Sequence, residues 1–524
     1  MRKLSTLFCA VLMTLSAMAT DYKGNLTVSI NGEGSTQPAT ISIVENAGKY
    51  NLSILNFMLG EGESVLPVGN IVIENVTGAV AGNLTTLYVN KNITIQKGNV
   101  AGIADDAWLG PMLGEVPVKM SSSFNTNGFL GVNIDIDMVS TLGQVIKVTF
   151  ENVGNHFQMP NSDFETWSNE NNAPKHWHGF ESVKGKLSGT AKSKTKLVSS
   201  KNVRPGSKGL TSAVVTSTKV FTVIANGTMT NGVLNAGSMS AADASNHSET
   251  DLSSTSKDAN GDPFATPMYA KPDSVKFWMR FTQAKAQASH PYAAFNAVIT
   301  DGTYYQDPEN KTYTNKVAVA APNKADMTVG DWRLVSCPFD YASYAANGAE
   351  AKAILLTVST NATPGKGSYS NGVADSVYVD DLELVYLADI KSVSFKGATL
   401  DLTNTDIDIA DDDVISASDF VVEKIGEDAK VTTLVEANAK GYQAVISVVS
   451  GDLNTQKTLV FNFNKPVWAD GDVNHDGVVD LADVTLLINK VLGADATQLY
   501  NPDVNADGNV DVADVTTLVS LILG

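Results

Sequence analysis

A stretch of twelve residues is repeated near the end of the chain with only three differences. DVNHDGVVDLAD begins at Asp472, and DVNADGNVDVAD begins thirty-one residues later, at Asp503. Each copy carries side-chain oxygens at positions 1, 3, 5, 9 and 12 and a glycine at position 6. Glycine readily adopts the left-handed backbone that a sharp turn requires, so each copy can curl back on itself. This duplication constrains the fold of the region more than any other feature of the sequence.

The spacing of these oxygens is that of a calcium-binding EF-hand loop. Calcium takes six to eight oxygen ligands at about 2.4 Å, and such a loop supplies them from positions 1, 3, 5, 7, 9 and 12, with position 7 contributing its backbone carbonyl. We therefore predict two calcium sites. The first would use Asp472, Asn474, Asp476, Val478, Asp480 and Asp483, and the second Asp503, Asn505, Asp507, Asn509, Asp511 and Asp514.

A helix is predicted after each loop. Apolar residues recur there at helical spacing, each thirty-one residues from its counterpart: Leu481, Val484, Leu487, Ile488, Val491 and Leu492 match Val512, Val515, Leu518, Val519, Ile522 and Leu523. Pro466 and the pair Asn501-Pro502 stand where the first helix of an ordinary EF-hand would lie. Each repeat is therefore a loop with its second helix only, and the two apolar stripes can cover each other.

A duplicated half EF-hand with Asp at position 12 closely resembles a type I dockerin, over residues 466–524. The resemblance implies that calcium folds the module and that the module docks onto a cohesin-type protein. Dockerins often carry small polar residues at loop positions 10 and 11, whereas this chain has Leu481-Ala482 and Val512-Ala513. Either the partner offers an apolar patch, or the module packs within its own protein.

The first residues have the layout of a secretory signal peptide. Arg2 and Lys3 precede an apolar run, and Ala17-Met18-Ala19 provides a small-residue cleavage site, so residues 1–19 are predicted to be removed on export. Attachment of a lipid to Cys9 is the alternative. No later stretch is long and apolar enough to cross a membrane as a helix. We expect a secreted protein located outside the cytoplasm, either extracellular, on the cell surface or in the periplasm.

Charge is concentrated at the end of the chain. The formal net charge is −19, which argues against nucleic-acid binding. From Asp470 to Gly524 there are ten Asp, no Glu and one Lys, a net charge of −9. Almost half of the excess negative charge therefore lies in the last tenth of the chain, which favours cation sites over a generally acidic surface.

Residues 20–155 alternate apolar and polar side chains in eight segments, the pattern of strands with one buried face. They resemble the calycin-like, lipocalin-type β-barrel of secreted bacterial proteins. A closed barrel could hold a small apolar ligand, or its interior could be filled by side chains.

Residues 156–388 open with PNSDFETWS and close with DSVYVDDLELVY. These motifs, with strand-like runs between them, resemble PCMD, a family of carbohydrate-metabolism domains, and imply a jelly-roll β-sandwich related to carbohydrate-binding modules. Residues 389–465 alternate again and suit a small immunoglobulin-like spacer. The predicted fold class is thus multidomain and mainly all-β, with a small helical dockerin at the C-terminus.

Two further sites are predicted in the jelly roll. The first and last strands of such a sandwich often lie close together, so Glu165 and Asp381 could hold a second, structural calcium. Aromatic rings stack on sugar faces, and the best-exposed candidates for glycan contact are Trp177, Tyr304 and Tyr305. The pair His176 and His178 is too small for a transition-metal site, and both are expected in an exposed loop.

No established catalytic motif stands out, and Cys337, the only cysteine beyond the signal peptide, is expected to be a buried, inert thiol. We therefore predict an exported, non-catalytic protein of polysaccharide utilisation that binds carbohydrate and docks onto a partner. A hydrolase acting on glycosidic bonds, with its site in the jelly roll, and a structural surface adhesin are the alternatives.

Overall fold

The computed structural model of the protein describes residues 19–60, 65–152, 157–168, 172–194, 197–494 and 499–524. The predicted signal peptide, apart from Ala19, lies outside the described residues. The chain divides into two compact units. The first comprises Met1–Ser392, Val422–Thr432 and Ile446–Thr458, and the second comprises Val393–Val421, Thr433–Val445 and Leu459–Gly524. In the described part of the chain, no helix has the length and apolar character needed to span a membrane.

Eight antiparallel strands at the N-terminus form a closed barrel, because the first strand pairs with the second and also with the eighth. All eight predicted strands are present: β1 (Ala19–Ile30), β2 (Glu33–Asn46), β3 (Lys49–Leu59), β4 (Leu66–Ala81), β5 (Leu84–Thr94), β6 (Glu115–Asn125), β7 (Leu130–Met138) and β8 (Gln144–Asn152). Two short helices, α1 (Leu109–Met112) and α2 (Val139–Leu142), lie in its connections.

The alternation seen in the sequence places one set of apolar side chains inside the barrel. They form a single core in which Ile41, Leu52, Ile73, Leu87 and Met120 are all inaccessible to solvent. This packing favours the filled interior over the ligand chamber.

The described part of residues 156–388, the second region, contains seventeen strands and one short α-helix, α3 (Ser188–Lys192). The strands are β9 (Leu197–Ser200), β10 (Ser212–Thr216), β11 (Thr218–Val220), β12 (Val223–Ala225), β13 (Thr228–Thr230), β14 (Val233–Ala236), β15 (Asn246–Thr250), β16 (Thr266–Pro267), β17 (Ser274–Thr282), β18 (Ala294–Thr300), β19 (Tyr305–Asp307), β20 (Lys316–Ala320), β21 (Gly330–Pro338), β22 (Ala353–Ser359), β23 (Tyr369–Ser370), β24 (Val373–Ala374) and β25 (Ser376–Val385).

Two of its sheets form a sandwich. One has the order β21-β17-β25-β10-β9, and the other has the order β13-β22-β18-β20 with β16 on the edge of β22. Their facing side chains share one apolar core, in which Phe277 of β17 stacks on Phe295 of β18 with ring centroids 4.1 Å apart. Cys337 is buried in this core, as expected, and burial raises the pKa of its thiol to about 12.

A third sheet, of order β14-β15-β19, accompanies this sandwich. The strands β18 and β22 belong to the main sandwich, but their alternate side chains point away from its core. Residues of both sheets line a cavity.

Seven strands follow: β26 (Asp389–Phe395), β27 (Ala398–Thr399), β28 (Asp406–Asp408), β29 (Phe420–Ile425), β30 (Lys430–Asn438), β31 (Gly441–Val449) and β32 (Gln456–Asn464). They form a sheet of order β27-β26-β29 and a sheet of order β28-β32-β31-β30, and both compact units take residues from this segment. Within the second unit, the rings of Phe395, Phe420 and Phe463 contact one another. The chain ends with two longer helices, α4 (Leu481–Val491) and α5 (Val512–Leu523).

Candidate functional site

The first acidic loop is curled by hydrogen bonds from its own backbone. Asp472 accepts bonds from the N–H groups of Asp476 and Gly477, at 3.2 and 2.9 Å. Asn474 accepts from the N–H of Asp476 at 2.8 Å. The turn needs left-handed backbone at positions 4 and 6, where His475 has φ 56° and Gly477 has φ 90°. The glycine at position 6 therefore has the conformational role that the sequence predicted.

The second loop repeats this geometry bond for bond. Asp503 accepts from the N–H groups of Asp507 and Gly508, at 3.0 and 2.8 Å. The left-handed residues are again at positions 4 and 6, where Ala506 has φ 58° and Gly508 has φ 89°. Two segments thirty-one residues apart thus adopt one local structure.

Position 12 closes each loop onto the start of its helix. Asp483 accepts bonds from the N–H groups of Asn474 and Asp480, at 3.1 and 2.8 Å, and is wholly inaccessible to solvent. Asp514 does the same with Asn505 and Asp511, at 3.1 and 2.8 Å, and is equally buried. Because these N–H bonds favour the charged form, led by the bond from Asp511, the pKa of Asp514 is held below its usual value.

Position 9 caps the helix that follows. Asp480 and Asp511 are the N-cap residues of α4 and α5, and each accepts a bond from the N–H two residues on, at 2.7 Å. A carboxylate at a helix N-terminus satisfies unpaired N–H groups and interacts favourably with the helix dipole. The same residues therefore shape the loop and start the helix.

The two helices pack on each other, but over a narrower face than the apolar stripes suggested. Val484, Leu487 and Leu518 form the buried centre of their shared core. Leu481 and Leu492 are instead 74% and 78% exposed, and their counterparts Val512 and Leu523 are 65% and 80% exposed. At about 100° per residue each stripe is roughly 140° wide. One edge of the stripe fills the core, and the other edge stays on the surface in both repeats.

The oxygen donors of these loops fit calcium in their chemistry. The predicted ligand positions of each loop supply carboxylate, amide and carbonyl oxygens only, which is the donor set that a hard cation prefers. A carboxylate has about four lone-pair sites, so the bonds to backbone N–H groups leave acceptor capacity for an ion. Among the described residues, no three His, Cys, Asp or Glu side chains are arranged as a metal cluster. The ligand assignments from sequence therefore stay predictions.

Two protein-family models match this chain, one near its N-terminus and one near its C-terminus. The model of the type I dockerin domain matches residues 470–523, and the model of the calycin-like beta-barrel domain matches residues 18–153. The chain thus contains a type I dockerin, a calcium-binding module whose usual partner is a cohesin, and a calycin-like barrel. Proteins that carry dockerins are typically extracellular or attached to the cell surface.

One solved structure resembles this chain only weakly. A crystallised protein of Bacteroides fragilis NCTC 9343, assigned provisionally to the outer membrane by its description, covers 65% of this chain and 96% of its own length. It shares 9% sequence identity with this chain, with a TM-score of 0.18, and supports no argument about function. The comparison with curated proteins gives no match.

The two carboxylates expected at a second calcium site have other partners. Glu165 accepts bonds from the N–H groups of Leu210 and Thr211, at 2.9 and 2.8 Å. Asp381 forms an ion pair with the guanidinium of Arg204. The guanidinium of Arg204 thus already neutralises the charge of Asp381. The second calcium site stays a prediction without geometric support.

Two of the three aromatic residues expected to be exposed are buried. Trp177 is 2% exposed, donates from its indole N–H to the carbonyl of Asn161 at 3.1 Å, and packs on Phe164. Tyr305 is also 2% exposed. The expectation of exposure was wrong for both, because tertiary packing covers rings whose local sequence is polar. Tyr304 is 39% exposed, and its hydroxyl donates to Glu249 at 3.0 Å.

The histidine pair is also less exposed than expected. His178 is 1% exposed, with its Nδ1 3.7 Å from Asp258 and its ring against Phe264. His176 lies at the surface with its Nδ1 3.4 Å from Asp262.

The second region also contains a cavity of about 460 Å³ that the sequence did not predict. Its lining residues come from many separate segments between Phe180 and Gly365, so no sequence pattern marks it.

Proposed function

We propose that the chain docks onto a cohesin-type protein through its C-terminal dockerin, and that docking requires calcium in both loops. The observation that carries this proposal is the equivalence of the two repeats. They share their loop hydrogen bonds, their capping carboxylates and their exposed apolar positions. Ten Asp residues in this segment repel one another unless cations neutralise them, which makes calcium a condition for the two helices to pack.

The surface that would meet the partner is the exposed edge of each helix. Leu481 and Val512 occupy loop position 10, and the adjacent Ala482 and Ala513 are exposed as well. Burying such aliphatic side chains against a partner contributes roughly 1.5–3 kcal/mol each. Because the edges are equivalent, either helix could make the contact. Lys490, whose counterpart is Leu521, is the position that would distinguish them.

A binding assay with the full chain tests this proposal. The chain is passed over a panel of immobilised type I cohesins in calcium and again in EDTA, and calcium-dependent binding to at least one member is expected. Leu481→Asp and Val512→Asp should each weaken binding modestly, and the double variant should abolish it. Val414→Asp, at a position 72% exposed outside the dockerin, is the matched control. Binding that survives both EDTA and the double variant would reject the proposal.

We also propose that the protein is exported and that residues 156–388 bind carbohydrate in polysaccharide utilisation. The support is the resemblance to PCMD, and Tyr304 is the aromatic candidate that keeps an accessible face. A glycan array probed with the full chain, with release of reducing sugar measured in parallel, tests binding and hydrolysis together. Tyr304→Ala should weaken any glycan binding about five- to thirtyfold, since stacking and packing of one ring contribute on the order of 1–2 kcal/mol.

A further inference from the structure

The second region contains a cavity of about 460 Å³ lined by two of its sheets. Thr357 of β22 and Asn296 of β18 contribute from the main sandwich, on the side away from its core. Ser248 of β15 and Asp307 of β19 contribute from the third sheet. A space of this size, between two sheets, is large enough for a small molecule.

These four side chains form a continuous polar patch on the cavity wall. Ser248 and Asp307 are directly opposite each other in the pairing of β15 with β19. Asn296 donates to Asp307 at 3.1 Å and is itself opposite Thr357 in the pairing of β18 with β22. The patch therefore runs from one sheet to the other.

The patch has unused hydrogen-bonding capacity. Ser248 is 2% exposed, and the hydroxyl oxygens of both Ser248 and Thr357 are buried without a hydrogen-bond partner. Burying a hydroxyl without a hydrogen-bond partner is unfavourable, and a ligand group bonded to it would recover that lost free energy. Burial also raises the pKa of Asp307, the one carboxylate among the described lining residues, and a hydrogen-bond donor from a ligand would offset this loss of solvation.

The rest of the lining is largely apolar. Small and aliphatic side chains dominate it, among them Ala191, Val223, Leu234, Met239 and Ala294. Among the described residues of the lining, Phe180 is the only Phe, Tyr or Trp. The amides of Asn226, Asn246 and Asn361 are already bonded to backbone carbonyls. A sugar would bury many hydroxyls against these apolar walls with few partners. A molecule that is polar at one end only fits the lining better.

We propose that this cavity binds a compact apolar molecule that carries a hydrogen-bond donor, a hydroxyl or an ammonium group, at one end. The donor meets Asp307, and the hydroxyls of Ser248 and Thr357 complete its hydrogen bonds. The apolar body fills the space beside Ala294 and Leu234. Anionic ligands are excluded by the carboxylate. This activity is separate from docking, because it uses none of residues 466–524 and does not require calcium.

Calorimetric titration of the full chain with four naphthalene probes tests the assignment. 2-Naphthylmethanol and 2-naphthylmethylammonium should bind. The methyl ether of the alcohol, which lacks the donor, should bind about tenfold more weakly, and 2-naphthoate should not bind. Comparing the two donors decides between a hydroxyl and an ammonium ligand. Cellobiose serves as the sugar probe and should not bind at this site.

Variants locate the binding. Asp307→Asn should remove the preference for the donor-bearing probes and leave the ether unchanged. Ala294→Trp should abolish binding of all probes by filling the cavity. Thr228→Phe, on β13 at the other side of β22, fills the same space if the first variant does not fold. The proposal is overturned if no probe binds, if a folded filled variant binds as the wild type does, or if cellobiose binds and requires Asp307.

Discussion

The ring of His475 stacks on the ring of Tyr500, with centroids 3.9 Å apart and planes inclined by 11°. Trp468 covers the opposite face of the histidine at 4.5 Å. His475 is position 4 of the first loop, Trp468 precedes that loop, and Tyr500 precedes the second loop. The N–H of Tyr500 also donates to the carbonyl of Val473 at 3.0 Å. The two repeats are thus joined at their loops as well as through their helices.

Replacing Tyr500 by alanine should loosen both repeats. An aromatic pair contributes about 0.5–1.5 kcal/mol beyond the burial of its area. In calcium, hydrogen exchange of α4 and α5 in the full chain should accelerate about fivefold or more, in proportion to the lost free energy of opening. Tyr500→Phe keeps the ring and serves as the control, with exchange close to the wild type. Unchanged exchange in Tyr500→Ala would show that the stack does not couple the repeats.

Asp483→Asn should open the second repeat along with the first. The side chain lies in the first loop, but α4 and α5 share the core formed by Val484, Leu487 and Leu518, so neither helix keeps a covered face alone. The amide also presents a donor to one of the two N–H groups that the carboxylate accepts, which costs roughly 1–3 kcal/mol. Hydrogen exchange in calcium should rise in both helices.

Asp470→Asn is the matched control for this change, because it removes the same charge at an exposed position outside the loops. It should leave the exchange of both helices unchanged. If Asp483→Asn exposes α4 while α5 keeps full protection, each half folds independently and mutual covering does not explain the duplication.

Gly477→Ala should weaken calcium binding through the backbone alone. A Cβ at this position meets no atom within 4 Å, but φ is 90°, where an L-residue costs roughly 1–2 kcal/mol. The affinity of the first loop should fall about tenfold in a calcium titration. Gly189→Ala, which also has open space around the new Cβ, should leave calcium binding unchanged. Wild-type affinity in Gly477→Ala would mean that the loop does not bind the ion in this conformation.

Glu181→Gln should make the protein more stable at alkaline pH. Burial raises the pKa of Glu181 from 4.5 to about 7, and its Oε2 is buried without a hydrogen-bond partner. Between these two values the folded state binds more protons than the unfolded state, so the free energy of unfolding falls as pH rises. Because glutamine mimics the neutral acid, the variant should match the wild type at pH 4 and exceed it by about 3 kcal/mol at pH 8. Denaturant unfolding at the two pH values measures this, and equal stabilities at pH 8 would contradict it.

The loops could be predicted from the sequence because their structure is local. Each uses oxygens, a glycine and a helix start within twelve residues, so spacing alone determines the geometry. The barrel could be predicted for a similar reason, because period-two alternation alone places Leu52 and Ile73 on the buried face of their strands. The family models support both assignments.

The exposure of side chains in the second region could not be predicted from local sequence spacing. Trp177 is flanked by histidines, yet its burial depends on Phe164 and the carbonyl of Asn161, and on the packing of the whole sandwich. The cavity depends on Ser248, Asn296 and Thr357, which lie on three strands in two sheets. Such residues share no spacing in the sequence and meet only in the folded chain.

Calcium stoichiometry of the full chain tests the central claim most directly. Calorimetric titration of the metal-free protein should show two calcium ions bound per chain, one in each loop, because Asp483 and Asp514 occupy equivalent closing positions. The double variant Asp483→Ala, Asp514→Ala should bind neither ion at the same concentrations. A wild-type chain that binds no calcium, or a double variant that still binds two ions, would contradict the account.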